Sequence, residues 1–321
     1  MSLGFKVSAD APGLRLAARA LANALLAVAM LAVTAIVAGL LAAGCSRQAP
    51  PANVPRPRIV SFSPALTNMI FGMGLGDHVV GVTGQCRLPD GLKRPVVGDS
   101  YSVNAEAIAA VEPDIVMIQQ RAENFDAFKR IRPDVKIEHF DIETLEDVAV
   151  ALGRIGKLAG DSKRGLDAAA KFCSRINSVR ERAKNLPHPK VLFLIAYQYD
   201  KPGTGGRSSF IHEMIELAGG DDAAGNFSRW ADLDAEAILA MRPDILIVWT
   251  KPGSENAATK YWTHLPGLTT PRDRIYVLSD PNWTIPSAQL ADLADEMFDM
   301  IQPPDGATAP AIGATSQGAV K

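Results

Sequence analysis

One pattern of apolar and polar positions occurs twice in this chain. Asn104-Ala-Glu-Ala-Ile-Ala-Ala-Val-Glu-Pro-Asp-Ile-Val-Met-Ile118 returns as Asp234-Ala-Glu-Ala-Ile-Leu-Ala-Met-Arg-Pro-Asp-Ile-Leu-Ile-Val248. In each copy Asn104 or Asp234 predicts a helix N-cap, and Glu106 or Glu236 falls in the first turn, where a carboxylate complements the positive helix end. The short helix is expected to stop before Pro113 or Pro243, because a residue preceding proline avoids helical backbone. The β-branched runs at 115–118 and 245–249 then predict strands buried on both faces. The segments upstream correspond too. Arg58-Ile-Val-Ser-Phe62 and Lys190-Val-Leu-Phe-Leu-Ile-Ala196 read as strands. Each is followed by a helix, over 64–73 with Pro64 in its first turn and over 208–217 ending at Gly219-Gly220. This alternation predicts an α/β protein of two doubly wound parallel-sheet lobes.

Between the copies the period becomes helical. Leu145, Val148, Leu152, Ile155 and Leu158 share one face, Gly160-Asp161 interrupts, and Leu166, Ala169, Phe172, Ile176, Val179 and Ala183 continue the stripe. The second run predicts a helix over 162–185, roughly 36 Å long. A single long rigid helix therefore joins the lobes, with a ligand cleft between them. The expected organisation is an N-terminal lobe at 58–143, connecting helices at 144–187 and a C-terminal lobe at 188–302.

The ends have a different character. Lys6, Arg15 and Arg19 precede an uncharged stretch, residues 20–41, long enough to span a bilayer. Leu41-Ala-Ala-Gly-Cys45 resembles a bacterial lipoprotein signal, with residues 1–44 removed and Cys45 lipidated. A transmembrane anchor is the alternative, and both predict an exported protein held at a bacterial membrane. Pro50, Pro51, Pro55 and Pro57 predict an extended tether over 45–57, and 303–321 reads as a disordered tail.

Composition narrows the function. Lys and Arg number 33 against 35 Asp and Glu, a net charge of −2, so no basic excess exists for nucleic acid. Three cysteines make neither a disulfide scaffold nor a zinc site, and five histidines, none paired at ligand spacing, predict no bare-metal site. Cys86 and Cys173 are expected to stay unbridged, Cys173 in the core. Gly98-Asp-Ser-Tyr101 looks like a hydrolase serine motif, but no histidine follows His264 to complete a triad. Gly72-Met-Gly-Leu-Gly76 follows a helix instead of opening one, so it is no dinucleotide fingerprint.

Taken in order, Ile59-Val-Ser-Phe-Ser-Pro-Ala-Leu-Thr67, Gly81-Val, Cys86-Arg-Leu-Pro89, Val97-Gly-Asp99, the repeated motif, Gly219-Gly220 and Trp230 resemble one family. It comprises the substrate-binding lipoproteins of iron-complex and cobalamin ABC importers, and the resemblance spans nearly all of 58–302. It implies a monomeric binding protein with no resident cofactor and no catalysis. The protein would pass its ligand to an ABC permease dimer with its ATPase. Glu106 and Glu236 would each meet one permease subunit. Trp230, Trp283 and Pro64 match cleft positions of the family, and the loop of Cys86 lies near the cleft. Tyr101 stands before the first repeat much as Trp230 stands before the second, which suggests an aromatic clamp. Tyr197 and Tyr199 end a strand, Arg207 opens the next helix beside its anion-favouring N-terminus, and Asp280 lies in the late-strand loop. Where many relatives have Gly-Pro-Arg, this chain has Ile285-Pro286-Ser287. A corrinoid is the first expected ligand, a ferric siderophore the second and haem the third; the ligand itself would carry cobalt or iron. The alternative is an exported sensor or enzyme that uses this fold without transport.

Overall fold

The computed structural model describes residues 56–99 and 101–303. The expected signal segment, Cys45, most of the tether and the tail beyond residue 303 lie outside the described residues. The N-terminal lobe contains β1 (Ile59–Phe62), α1 (Pro64–Gly72), β2 (Val79–Val82), α2 (Ala105–Ala110), β3 (Ile115–Ile118), α3 (Asp126–Ile131) and β4 (Lys136–His139). Its sheet has the order β2-β1-β3-β4, every pairing parallel. Next come α4 (Leu145–Leu158) and α5 (Ser162–Ala183). The C-terminal lobe holds β5 (Lys190–Ile195), β6 (Gly203–Thr204), α6 (Phe210–Leu217), β7 (Asp221–Asp222), β8 (Ala231–Asp232), α7 (Ala235–Met241), β9 (Ile245–Trp249), α8 (Glu255–Thr263), β10 (Ile275–Leu278) and α9 (Leu290–Ile301).

The second sheet departs from the expected parallel pattern. β10, β9 and β5 are parallel, and β7 adds to the start of β5 in the same sense. β6 pairs antiparallel with the last residue of β5, and β8 pairs antiparallel with β6. These two-residue strands carry no periodicity that a sequence could reveal, yet they shape the mouth of the lobe.

The repeat survives down to single hydrogen bonds. The Asn104 side chain accepts from Ala107 N at 2.9 Å, and Asp234 accepts from Ala237 N at 2.8 Å. Each helix ends just before its proline on a left-handed residue, Glu112 at φ 43° and Arg242 at φ 47°. The aspartate after the proline clasps the neighbouring strand: Asp114 Oδ2 accepts from Arg58 N at 2.7 Å, and Asp244 Oδ2 accepts from Lys190 N at 2.8 Å. Burial repeats residue for residue over 104–118 and 234–248.

The long α5 is the expected linking helix, and α4 packs along it. α4 and α5 touch backbone to backbone, since a Cβ on Gly156 would come within 2.5 Å of Gly165 Cα. Arg154 bonds Glu138 and covers the Phe140 ring at 4.3 Å, and Arg164 donates to the Gly74 carbonyl at 3.0 Å, fixing the pair to the N-terminal lobe. On the other side Arg175 reaches Asp292 and Asp295, and Arg182 bonds Asp295 at 2.6 Å, both on α9. Glu213 Oε2 on α6 accepts from Leu145 N at 2.6 Å, at the start of α4. One apolar core runs without a break from β1 and β3 through α4 and α5 to β5, β9 and α9. Moving one lobe against the other would open that core, so hinge bending is costly.

α5 ends at Ala183, two residues short of the expected end, and α6 begins at Phe210 because Ser209 is its cap. Cys173 is exposed, contrary to expectation. The buried stripe of α5 runs through Phe172, Ile176, Val179 and Ala183, and one residue further is about 100° round the helix.

Candidate ligand cleft

Parallel α/β sheets present their chemistry beyond the carboxyl ends of the strands. In the C-terminal lobe β5 runs into Ala196 and Tyr197, and β9 into Thr250 and Lys251. Tyr197 is 58% exposed, although its ring meets the edge of the buried Trp249 at 5.1 Å. Burial of its hydroxyl, with a smaller contribution from the nearby Tyr101 phenol, raises the Tyr197 pKa above that of an ordinary phenol. Tyr101 and Tyr197 stand one on each lobe. Tyr101 is 96% exposed, on a turn whose Tyr101 and Ser102 amides both donate to Asp99 Oδ1 at 2.8 Å.

A cavity of about 320 Å³ opens beside Tyr197, lined also by Gln198, Lys201, Trp230 and Asp232. Trp230, 44% exposed, rests on Phe210 at the start of α6, ring centroids 6.2 Å apart. The antiparallel pair β6 and β8 forms this wall, since Gly203 and Asp232 both line it and pair with each other. Tyr197 and Trp230 are therefore brought together on one cavity, which Tyr101 does not line. Sequence reasoning missed Gln198, Lys201, Asp232 and Lys251; their one signal is that they directly follow or flank strand ends.

Other expected cleft residues sit elsewhere. Trp283 is 2% exposed and packs on Phe193 in the main core, 6.0 Å between centroids, so it is a core residue. Tyr199 stacks on Tyr261 of α8 at 5.2 Å and donates to the Ser254 carbonyl at 3.4 Å, away from the cavity wall. Asp280 is spent on local structure: its Oδ1 accepts from Asn282 N at 3.0 Å, and its carbonyl accepts from Trp249 Nε1 at 2.9 Å. Pro64 is half-buried in the first turn of α1. Cys86 is unbridged and half-buried in a nest of hydroxyls, with Thr67 Oγ1 donating to its Sγ at 3.0 Å and Thr83 Oγ1 hydrogen-bonded to the same sulfur at 3.1 Å. Arg207 is exposed, two residues before the cap of α6. Glu106 and Glu236 are both exposed in the first turns of α2 and α7.

A larger cavity, about 430 Å³, lies at the junction of α4, α5 and α6, where Glu146, Arg180, His212 and Glu213 line it without an aromatic face. Beside it His212 Nδ1 lies 2.9 Å from Asp222 Oδ2, whose pKa burial raises. Among the described residues, no group of three His, Cys, Asp or Glu side chains is placed to hold a metal ion.

Two lobes locked to a helix pair, with aromatic side chains at the strand ends beside a cavity, define a two-lobed solute-binding protein. The chain belongs to the periplasmic binding protein family, whose model matches residues 59–264. It is accordingly a binding protein and not an enzyme. An "uncharacterized ABC transporter substrate-binding lipoprotein" of Bacillus subtilis is 25% identical over 77% of this chain and 80% of its own. A vitamin B12-binding protein of Yersinia pestis is 23% identical over 67% and 76%. Among solved structures, the periplasmic heme-binding protein RhuT from Roseiflexus, in apo form, superposes with a TM-score of 0.65 at 27% identity, covering 77% of this chain and all of that one. The heme-binding protein HutB of Vibrio cholerae, at 19% identity and a TM-score of 0.68, shares the fold.

Proposed function

We propose that this exported protein captures a large metal chelate or corrinoid between its lobes and delivers it to an ABC importer. A corrinoid, a ferric siderophore and a haem are the members of that class. The observation that carries the reading is the pair of exposed aromatics on one cavity, Tyr197 and Trp230, with Tyr101 exposed on a loop of the other lobe. Such faces bury the flat surface of a rigid macrocycle at little entropic cost, which an unordered apolar pocket would not. The relatives' names support the same class, since one is called a vitamin B12-binding protein and another a heme-binding protein. Glu106 and Glu236, equivalent in the repeat and both exposed, are the contacts proposed for a basic patch on each half of a permease dimer. Lipidation at Cys45 would hold the protein at the membrane beside that permease. Calorimetric titration of the purified protein with cyanocobalamin, ferric siderophores and haemin tests the reading. Saturable one-to-one binding is expected for one of them, weakened about tenfold or more in Trp230→Ala. No binding by any of the three would overturn it.

A further inference from the structure

The Tyr197 wall of the cleft is met by two lysines in different states. Lys201 lines the cavity 3.7 Å from the Asp232 carboxylate, so its charge is already answered. Lys251, two residues past the end of β9, holds its ammonium 5.6 Å from the centroid of the Tyr197 ring. No carboxylate among the described residues lies within ion-pair distance of it, and an exposed ring is a weaker partner for a cation than an anion is. The Trp230 wall has the same bias. Arg207 N donates to the Phe227 carbonyl at 2.8 Å and Ser208 N to the Ser228 carbonyl at 3.4 Å, which lays the chain at Arg207 alongside the chain leading to Arg229 and Trp230. Both arginines are exposed, and neither enters an ion pair among the described residues. Of the acids nearby in sequence, Asp232 pairs with Lys201, and Asp99 and Asp280 accept backbone amides of their own turns, while Asp200 is exposed in the loop between Tyr199 and Lys201.

We infer that the cleft selects chelates whose periphery carries acid groups over those whose periphery is amidated or esterified, and that Lys251 is the residue determining this choice. The inference rests on the reading of the cleft as a chelate site. The ammonium would leave the ring for a ligand carboxylate or other anionic oxygen, and the ring would stay free to stack on the macrocycle.

Matched ligands isolate the charge. The purified protein is titrated with haemin against its dimethyl ester, cyanocobalamin against its monocarboxylic acid, and a ferric tris-hydroxamate bearing a free peripheral carboxylate against its methyl ester. In whichever set binds, the acid-bearing member is expected to bind about tenfold tighter, and added salt should narrow the gap, as for any exposed ionic contact. Lys251→Gln should bring the acid-bearing member down to the level of its uncharged counterpart. Its unfolding midpoint should match that of the parent, because the side chain is exposed. Equal affinities within a set, or a preference that survives Lys251→Gln, would overturn the inference and leave the chelate reading standing. Failure of every ligand to bind would overturn the chelate reading and the inference with it.

Discussion

The two halves of this molecule share a scaffold and divide the chemistry. In both, the motif builds a capped short helix, a left-handed residue before proline, an aspartate clasp and a fully buried strand. They differ beyond the strand ends. The N-terminal sheet stays parallel and offers Tyr101 from a loop, whereas the C-terminal sheet adds β6 and β8 and with them a walled cavity holding Tyr197, Lys201 and Trp230. The lesson is a division of labour. On the proposed reading, the face offered to a permease dimer lies on the repeated element, and the walls offered to the ligand lie on elements that only one lobe has.

The largest expected effect tests the symmetric side. Reversing both charges, Glu106→Lys with Glu236→Lys, should abolish uptake of the ligand in cells while ligand affinity stays unchanged and the protein stays folded with a modestly lowered unfolding midpoint. Each single reversal should leave partial transport if the two lobes contribute alike. Both glutamates are solvated at helix starts, so the structural cost of reversal is only about 0.3–1 kcal/mol each. Full uptake by the double variant would show that the repeated face is not the docking surface.

The symmetric scaffold was legible in the residues; much of the asymmetric site was not. Asn104, Asp234, Pro113 and Pro243 act through their immediate neighbours, so caps and helix ends can be read locally. The Asp114 and Asp244 clasps were visible as residues but not as contacts, because Arg58 and Lys190 reach them across a parallel sheet from far away in sequence. Trp283 and Trp230 both lie beyond strand ends. One fills the space over Phe193 and the other faces solvent, a difference that depends on long-range packing. The cleft lysines had no motif at all: Lys201 comes to the cavity on the loop after Tyr197, and only the path of β9 brings Lys251 to that ring. If their charge governs binding, the resemblance's order of ligands changes, and acid-bearing iron chelates move ahead of the amidated corrinoid.

A smaller effect measures how equal the two scaffolds are. Asp114→Ala and Asp244→Ala each remove one charge-assisted bond to the first residue of the central strand region, expected to cost about 1–2 kcal/mol given their exposure. Denaturant unfolding should give the two variants similar losses, and Asp→Asn at either site should restore part of the stability because an acceptor oxygen remains. A loss confined to one lobe would mean that the repeat preserves shape without preserving energy.

The smallest effect separates the two anchors of the helix pair. Burial alone would push the Glu138 carboxyl up, but hydrogen bonds from Lys136 and Arg154, with their charges, outweigh it and hold the pKa below the ordinary 4.5. A carboxylate depressed in the folded state stabilises fully above its unfolded pKa, and the contribution fades as pH falls through the folded one. Glu138→Gln should therefore lose stability at neutral pH, by about 1 kcal/mol or less for a partly solvated pair. The gap from the parent should shrink once pH drops below 4.5, as the parent carboxylate takes up its proton. Chemical unfolding between neutral pH and pH about 3 reads this directly. A gap that stays constant over that range would mean that Arg154 fixes α4 through the Phe140 ring and the His139 carbonyl, with the charge of Glu138 contributing nothing to the N-terminal anchor.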